Sequence, residues 1–264
     1  MRVRCRPSKM KNLCVLCLLS LYFLFSTAHT LIGIESSQRD RVFLFEDFSD
    51  LSSWKPLYFK KIKRHTSYEV KKENGLSFLE AKSNSSASAL VHKAVFNVYE
   101  FPYLRFRILV RNIYEKGNAE EKSGDDYPLR IYVMFKYDPA RVGFWDRIKY
   151  NSLRLLYGSY PPYATINYIW ANRKHSHSIL TSRYTKRAKM VVIESGKDHL
   201  NSWRQYQVNM LEDFIRAFGE RPPALAQIAI MNDSDNTAEG SVSLIDYIEV
   251  SRAPENIKMN GEAK

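Results

Sequence analysis

Two short acidic strings carry the densest chemistry in the chain. Asp125 and Asp126 stand just before an apolar run, with Arg130 close behind them, and Asp233, Asp235 and Asn236 stand just after another. Loops at strand ends are where β proteins usually place binding groups. If the two strings meet, four carboxylates and one guanidinium converge. Such a group could bind a divalent cation or hold sugar hydroxyls through charge-assisted hydrogen bonds. Asp126 with Asp233 or Asp235 could also supply the acid and base of glycoside hydrolysis, which needs two carboxylates flanking one bond. The competing expectation is structural, because Asp, Asn and Ser favour turns by bonding their own backbone.

Aromatic residues are the second resource, at 13% of the chain with 17 tyrosines. Tyr157, Tyr160, Tyr163, Tyr168 and Trp170 gather around Pro161 and Pro162. Rings with an apolar face and a polar edge suit a sugar groove, and equally suit the core and rim of a sandwich. Trp170 joins the acidic residues in the expected ligand site. No HExxH, GxSxG or GxxxxGK[ST] string is present, so zincin, hydrolase-elbow and P-loop chemistry have no support.

The elements that must position these residues alternate with period two. The clearest runs are 104–108, 129–135, 190–193, 228–231 and 243–250, separated by turn-forming residues at 73–75, 195–198 and 232–235. Many short strands with few helices predict a mainly β protein, a single β-sandwich or jelly roll. Two segments read as short helices. Residues 211–218 place apolar side chains on one face, and Gly219 could end them. Residues 144–157 form a basic amphipathic stretch that could rest on a membrane surface. The usual fate of such an insert is to pack its apolar side on its own domain, which is the expectation here.

The amino terminus reads as an export signal. Five basic residues and no acidic ones precede an apolar run from Leu13 to Phe25, and Ser26-Thr27-Ala28 offers small residues at a cleavage site. A retained anchor is the alternative. The expected organisation is a signal peptide over 1–28, a lead-in over 29–41, the sandwich over 42–253 and a flexible tail over 254–264. All three cysteines, Cys5, Cys14 and Cys17, fall in the leader, which removes disulfides and thiol chemistry from the remainder. The formal net charge falls from +12 to +7 without the leader. The remaining excess includes Lys60, Lys61, Lys63 and Arg64, and Arg183, Lys186, Arg187 and Lys189. Export sets nucleic acid aside as a partner and favours anionic lipid headgroups or acidic glycans of an envelope.

Several strings combine into a resemblance. They are Phe45-Glu46-Asp47-Phe48 with Trp54, Gly124-Asp125-Asp126-Tyr127-Pro128, Tyr168-Ile169-Trp170, Trp203, and Asp233-Ser234-Asp235-Asn236-Thr237. In that order the chain resembles an uncharacterised family of exported bacterial proteins known only as a domain of unknown function. The resemblance covers roughly residues 42–251 and implies a bacterial envelope protein with a galactose-binding-like sandwich and no established activity; the lack of cysteine after the leader favours the periplasm as its location. A looser similarity is to carbohydrate-binding jelly rolls, in which first and last strands pair. It implies that Glu46 and Asp246 could come together around a structural calcium, with turn caps or ion pairs as the alternative. The expected function is a non-catalytic domain binding a glycan or another polyanionic envelope component. A polysaccharide-acting enzyme and an envelope structural or assembly protein are the alternatives.

Overall fold

The computed structural model describes residues 41–73, 75–157 and 160–255. The proposed signal peptide, nearly all of the lead-in and most of the tail lie outside the described residues. Within them the chain forms two stacked sheets, as the alternation predicts.

The first sheet is built from β1 (Val42–Glu46), β3 (Ser67–Glu73), β4 (Leu76–Asn84), β7 (Tyr103–Val110), β12 (Arg204–Asn209) and β14 (Gly240–Ser251). Its order is β12-β7-β14-β4-β3, with β1 also pairing with β14. First and last strands thus meet as expected. The second sheet contains β2 (Trp54–Leu57), β5 (Ala87–His92), β6 (Phe96–Asn97), β8 (Arg130–Phe135), β9 (Ala164–Ala171), β10 (Ile179–Thr181), β11 (Ala188–Ser195) and β13 (Leu225–Asp233). Its order is β10-β11-β9-β8-β13-β5-β2, with β6 on the flank of β13.

The core lies between the sheets. Leu104, Phe106 and Ile108 of β7 and Ile245, Ile248 and Val250 of β14 face Ile131, Val133 and Phe135 of β8, Ile166 and Tyr168 of β9, and Ile228 and Ile230 of β13. Each strand contributes alternate residues, because successive side chains point to opposite faces. The sequence between Ile245 and Ile248 breaks this rhythm. A β-bulge there sets Ile245 opposite Ile108 and Tyr247 opposite Arg107, leaving Asp246 as the extra residue. A bulge re-aims side chains, and here both Asp246 and Tyr247 turn outward.

Two helices complete the fold. α1 (Phe144–Tyr157) is inserted between β8 and β9. α2 (Met210–Phe218) follows β12 and places Met210 and Phe214 in the core. Asn209 caps its start, accepting from the backbone N–H groups of Leu211 and Glu212, and Gly219 ends it in a left-handed conformation at φ 72°.

Candidate functional site

The strands bring both acidic strings to one end of the second sheet. β8 begins at Arg130 and β13 ends at Asp233, and these strands are antiparallel neighbours with Met231 opposite Arg130. Asn232 and Asp233 point to opposite faces of β13. Asn232 turns between the sheets, where its Oδ1 accepts from Tyr114 Oη at 3.1 Å and Ser241 Oγ at 3.0 Å. Tyr114 Oη also meets Ser83 Oγ at 2.9 Å, so this polar seam links the two sheets. Asp233 turns to the outer side and meets Arg130.

Arg130 is the hub. Its Nε donates to Asp233 Oδ1 at 2.9 Å, its Nη2 bonds Asp233 Oδ2, and the same nitrogen donates to the carbonyl of Asp125 at 2.6 Å. Its Nη1 lies 3.8 Å from Asp125 Oδ1. The guanidinium rests on the Tyr127 ring, 4.4 Å from its centroid, a stacking that suits a planar cation. Asp126 ties the strings together from the other side. Its Oδ2 accepts from the Thr237 backbone N–H at 2.6 Å and the Thr237 hydroxyl at 2.8 Å, and its Oδ1 accepts from Asn236 Nδ2 at 3.0 Å.

Asp126, Asp233 and Asp235 bring one carboxylate oxygen each within 4.8 Å of one another. That spacing is short enough for one divalent cation to bridge. Any such cation would share oxygens already engaged by Arg130, Asn236 and Thr237. Burial dominates the electrostatics. It raises the Asp233 carboxyl to about 7 against the opposing pull of Arg130, and raises Asp125 against the same guanidinium. Asp235 is also raised, by burial and then by the Asp126 charge.

The two acidic strings therefore converge into one cluster, most of it withdrawn from solvent. Asp126 is 0% exposed, Asp233 2% and Arg130 6%, while Asp235 is partly exposed, so neither expected pair, Asp126 with Asp233 or with Asp235, presents both carboxylates to a polysaccharide in this structure. Trp170 is fully buried and donates to the Gly196 carbonyl at 3.0 Å. Tyr163 and Tyr168 are buried as well, and Tyr160 is a partly open ring. Sequence reading missed Asn172, whose amide spans from the Asp126 carbonyl at 2.7 Å to the Tyr114 N–H at 2.9 Å. No sequence signal pointed to it; in the structure Gly117 leaves it room, since a Cβ there would strike the Asn172 side chain.

Glu46 and Asp246 do not share partners, although their strands pair. Glu46 accepts from Phe48 N–H at 2.9 Å and Trp54 Nε1 at 3.0 Å, facing the buried end of the sandwich. Asp246 accepts from Arg107 Nη1 at 2.8 Å on the outer face. Both carboxylates are engaged by protein donors, Glu46 on the buried side of the sandwich and Asp246 on its outer face, so pairing of their strands does not by itself bring them to one point.

That outer face is concave around Trp203. A depression of about 180 Å³ is lined by Glu73, Leu76, Phe78, Arg107, Trp203 and Asp246, among others. Trp203 stands edge-on to Phe78, with centroids 6.2 Å apart, and Arg107 lies 5.0 Å from the Trp203 ring centre. The strip continues along β14, where Tyr247 stacks on Phe45 at 5.8 Å and Arg105 lies 5.4 Å from the Tyr247 ring centre.

Fold and site together define a two-sheet β-sandwich with a locked acidic end and an aromatic, ion-paired outer face. Over residues 52–249 the chain matches DUF3047, a family described as proteins of unknown function, and it belongs to that family. No curated protein sequence matches it. Among solved structures it is similar to a family 11 carbohydrate-binding module from Clostridium thermocellum in complex with a mixed-linked tetrasaccharide. The identity is 10%, the coverage 81% of this chain and 97% of that one, and the TM-score 0.39. A mannan-recognising module, TmCBM27, gives 13% identity, 81% and 98% coverage and a TM-score of 0.31. The family GH12 endoglucanase 3 of Trichoderma harzianum gives 7%, 76%, 99% and 0.36. Likeness at this level extends to stacked sheets and carries nothing about a ligand.

Proposed function

We propose that this protein is a non-catalytic glycan-binding domain whose ligand lies on the outer face of the six-stranded sheet. The observation that carries this reading is the depression beneath Trp203. An indole over an apolar floor of Phe78, Leu109 and Leu244 sits beside the Arg107–Asp246 ion pair. Sugar rings present apolar faces to aromatic surfaces and hydroxyls to charged, planar side chains. Trp203 supplies the first, and Arg107, Asp246 and Glu73 supply the second. Tyr247 and Phe45 farther along would serve additional rings of an oligosaccharide.

A glycan array followed by calorimetry on the strongest hit tests this. Trp203→Ala and Arg107→Ala should each weaken binding at least tenfold, about 1.4 kcal/mol, while circular dichroism shows an intact fold. Absence of binding to any envelope or plant polysaccharide, or a folded Trp203→Ala variant that binds as tightly as the parent, would refute it.

The buried acidic end supports a structural reading of Asp125, Asp126, Asp233 and Asn236: they lock the loops that close the sandwich. Export to a bacterial envelope is part of the same proposal, supported by the signal-like residues 1–28 and the lack of cysteine after them. The mass of the protein recovered from the periplasm would test cleavage after Ala28.

A further inference from the structure

α1 is fastened to the domain by the side that the sequence would not have chosen. Tyr150 stacks on Tyr137 with centroids 4.1 Å apart, and Tyr160 lies against the same Tyr137 ring at 4.8 Å. Tyr150 Oη donates to the Pro162 carbonyl at 3.4 Å, and Tyr160 Oη to Asn151 Oδ1 at 2.9 Å. This tyrosine stack fixes the helix while its apolar stripe faces solvent. Phe144 is 69% exposed, Trp145 79%, Ile148 44% and Leu155 88%. At helical spacing these four lie on one side, with Ser152 among them.

The stripe is bordered by cations. Arg147 and Arg154 run along one edge and Lys149 lies on the other, all exposed. Asp146, the helix's sole acidic residue, projects toward the side of the tyrosine stack rather than the stripe. Arg141 and Arg187 stand nearby, each with its guanidinium over the Tyr163 ring, at 6.0 and 4.4 Å. Two carboxylates also lie at this end and are engaged: Asp138 caps the turn before α1, and Glu220 pairs with Arg187 at 2.9 Å.

We infer that α1 is an interfacial anchor that lays its Phe144–Trp145–Ile148–Leu155 stripe into the surface of an anionic lipid bilayer. Exposed apolar patches rimmed by charge mark interaction sites. Here the charge on both edges is positive, and long basic side chains can bury their stems beside the stripe while their heads meet lipid phosphates. Among the described residues no helix is long and apolar enough to cross a membrane, so the contact lies in the plane of the surface. The site is independent of the glycan face.

Vesicle binding by the full chain tests the assignment, with phosphatidylcholine alone compared with phosphatidylcholine containing phosphatidylglycerol. The spectrum of Trp145 is isolated as the difference between the parent and Trp145→Phe. Trp145 emission should shift to the blue and be quenched by brominated lipid in the anionic vesicles, with a much smaller response in the neutral ones. Arg147→Gln with Arg154→Gln should weaken anionic-vesicle binding on the order of tenfold. Trp145→Ser with Leu155→Ser should abolish the insertion signal, read from a label at position 148, with unchanged melting temperature. Trp145 remaining open to aqueous iodide on anionic vesicles would overturn the inference. So would charge variants that bind like the parent, or a dimer in solution that the Trp145→Ser, Leu155→Ser variant dissolves.

Discussion

Arg130 explains why four acidic side chains tolerate one another at the end of the second sheet. It is bidentate to Asp233, reaches the Asp125 backbone and lies on Tyr127. Removing one member of a buried pair leaves an uncompensated charge and costs about 3–5 kcal/mol. Arg130→Met should therefore lower stability by that order, measured by urea unfolding. The pH dependence has a definite sign. Burial raises Asp233 from its usual acidic range to about 7 in the folded state. The folded protein then holds a proton that the unfolded chain releases, so this residue's contribution falls as pH rises from about 4 to about 7. Relative to Asp233→Asn, the parent should lose melting temperature across that window and hold a constant offset above it. A difference that stays flat, or that grows in favour of the parent, would contradict the burial of Asp233. The strings themselves were legible in the sequence because acidic residues at two strand ends are conspicuous. Their burial was not, because it depends on the two strings closing over each other, Tyr127 from one and Thr237 from the other, and on Asn172 from elsewhere in the chain.

At the scale of elements, the two helices separate what pattern can and cannot settle. α2 behaves as its sequence suggests, with an Asn cap, an apolar face in the core and a terminal glycine at φ 72°. Asn209→Ala should cost about 1 kcal/mol through loss of the cap, and Gly219→Ala about 1 kcal/mol through its left-handed backbone, both read from thermal melts. The orientation of α1, by contrast, reverses the expectation that its apolar side packs inward. The tyrosines at 137, 150 and 160 outcompete the apolar stripe for the domain surface, since stacked rings with hydrogen-bonded hydroxyls fit a polar rim better than aliphatic side chains do. The bulge in β14 is a similar case. Period two breaks between Ile245 and Ile248, yet nothing in the residue types says whether Asp246 or Tyr247 is the one left over. Gly117→Ala should likewise destabilise the loop before β8, because the added methyl displaces Asn172 from the Asp126 carbonyl.

The whole molecule has two unlike ends, joined by the same strands. β8 runs from Arg130 at the acidic end to Phe135 near α1, and β9 returns from Ala164 to Ala171. The carboxylate lock and the basic apolar helix thus face opposite ways, separated by strands about 20 Å long. Tyr184, which bonds Asn236 at 3.1 Å, marks the acidic end. A Tyr184→Trp reporter should stay open to aqueous quencher on anionic vesicles while Trp145 becomes protected. Protection of both would mean a different mode of attachment. The sequence by itself determined the strand alternation, the sandwich class, α2 and its caps, the family likeness and the acidic strings, because these depend on residue types near one another in the chain. Only tertiary structure decided which carboxylates are withdrawn from solvent, that Trp170 is core and Trp203 surface, and which way α1 faces. Those outcomes depend on which distant side chains compete for the same space, and neither spacing nor composition encodes that competition.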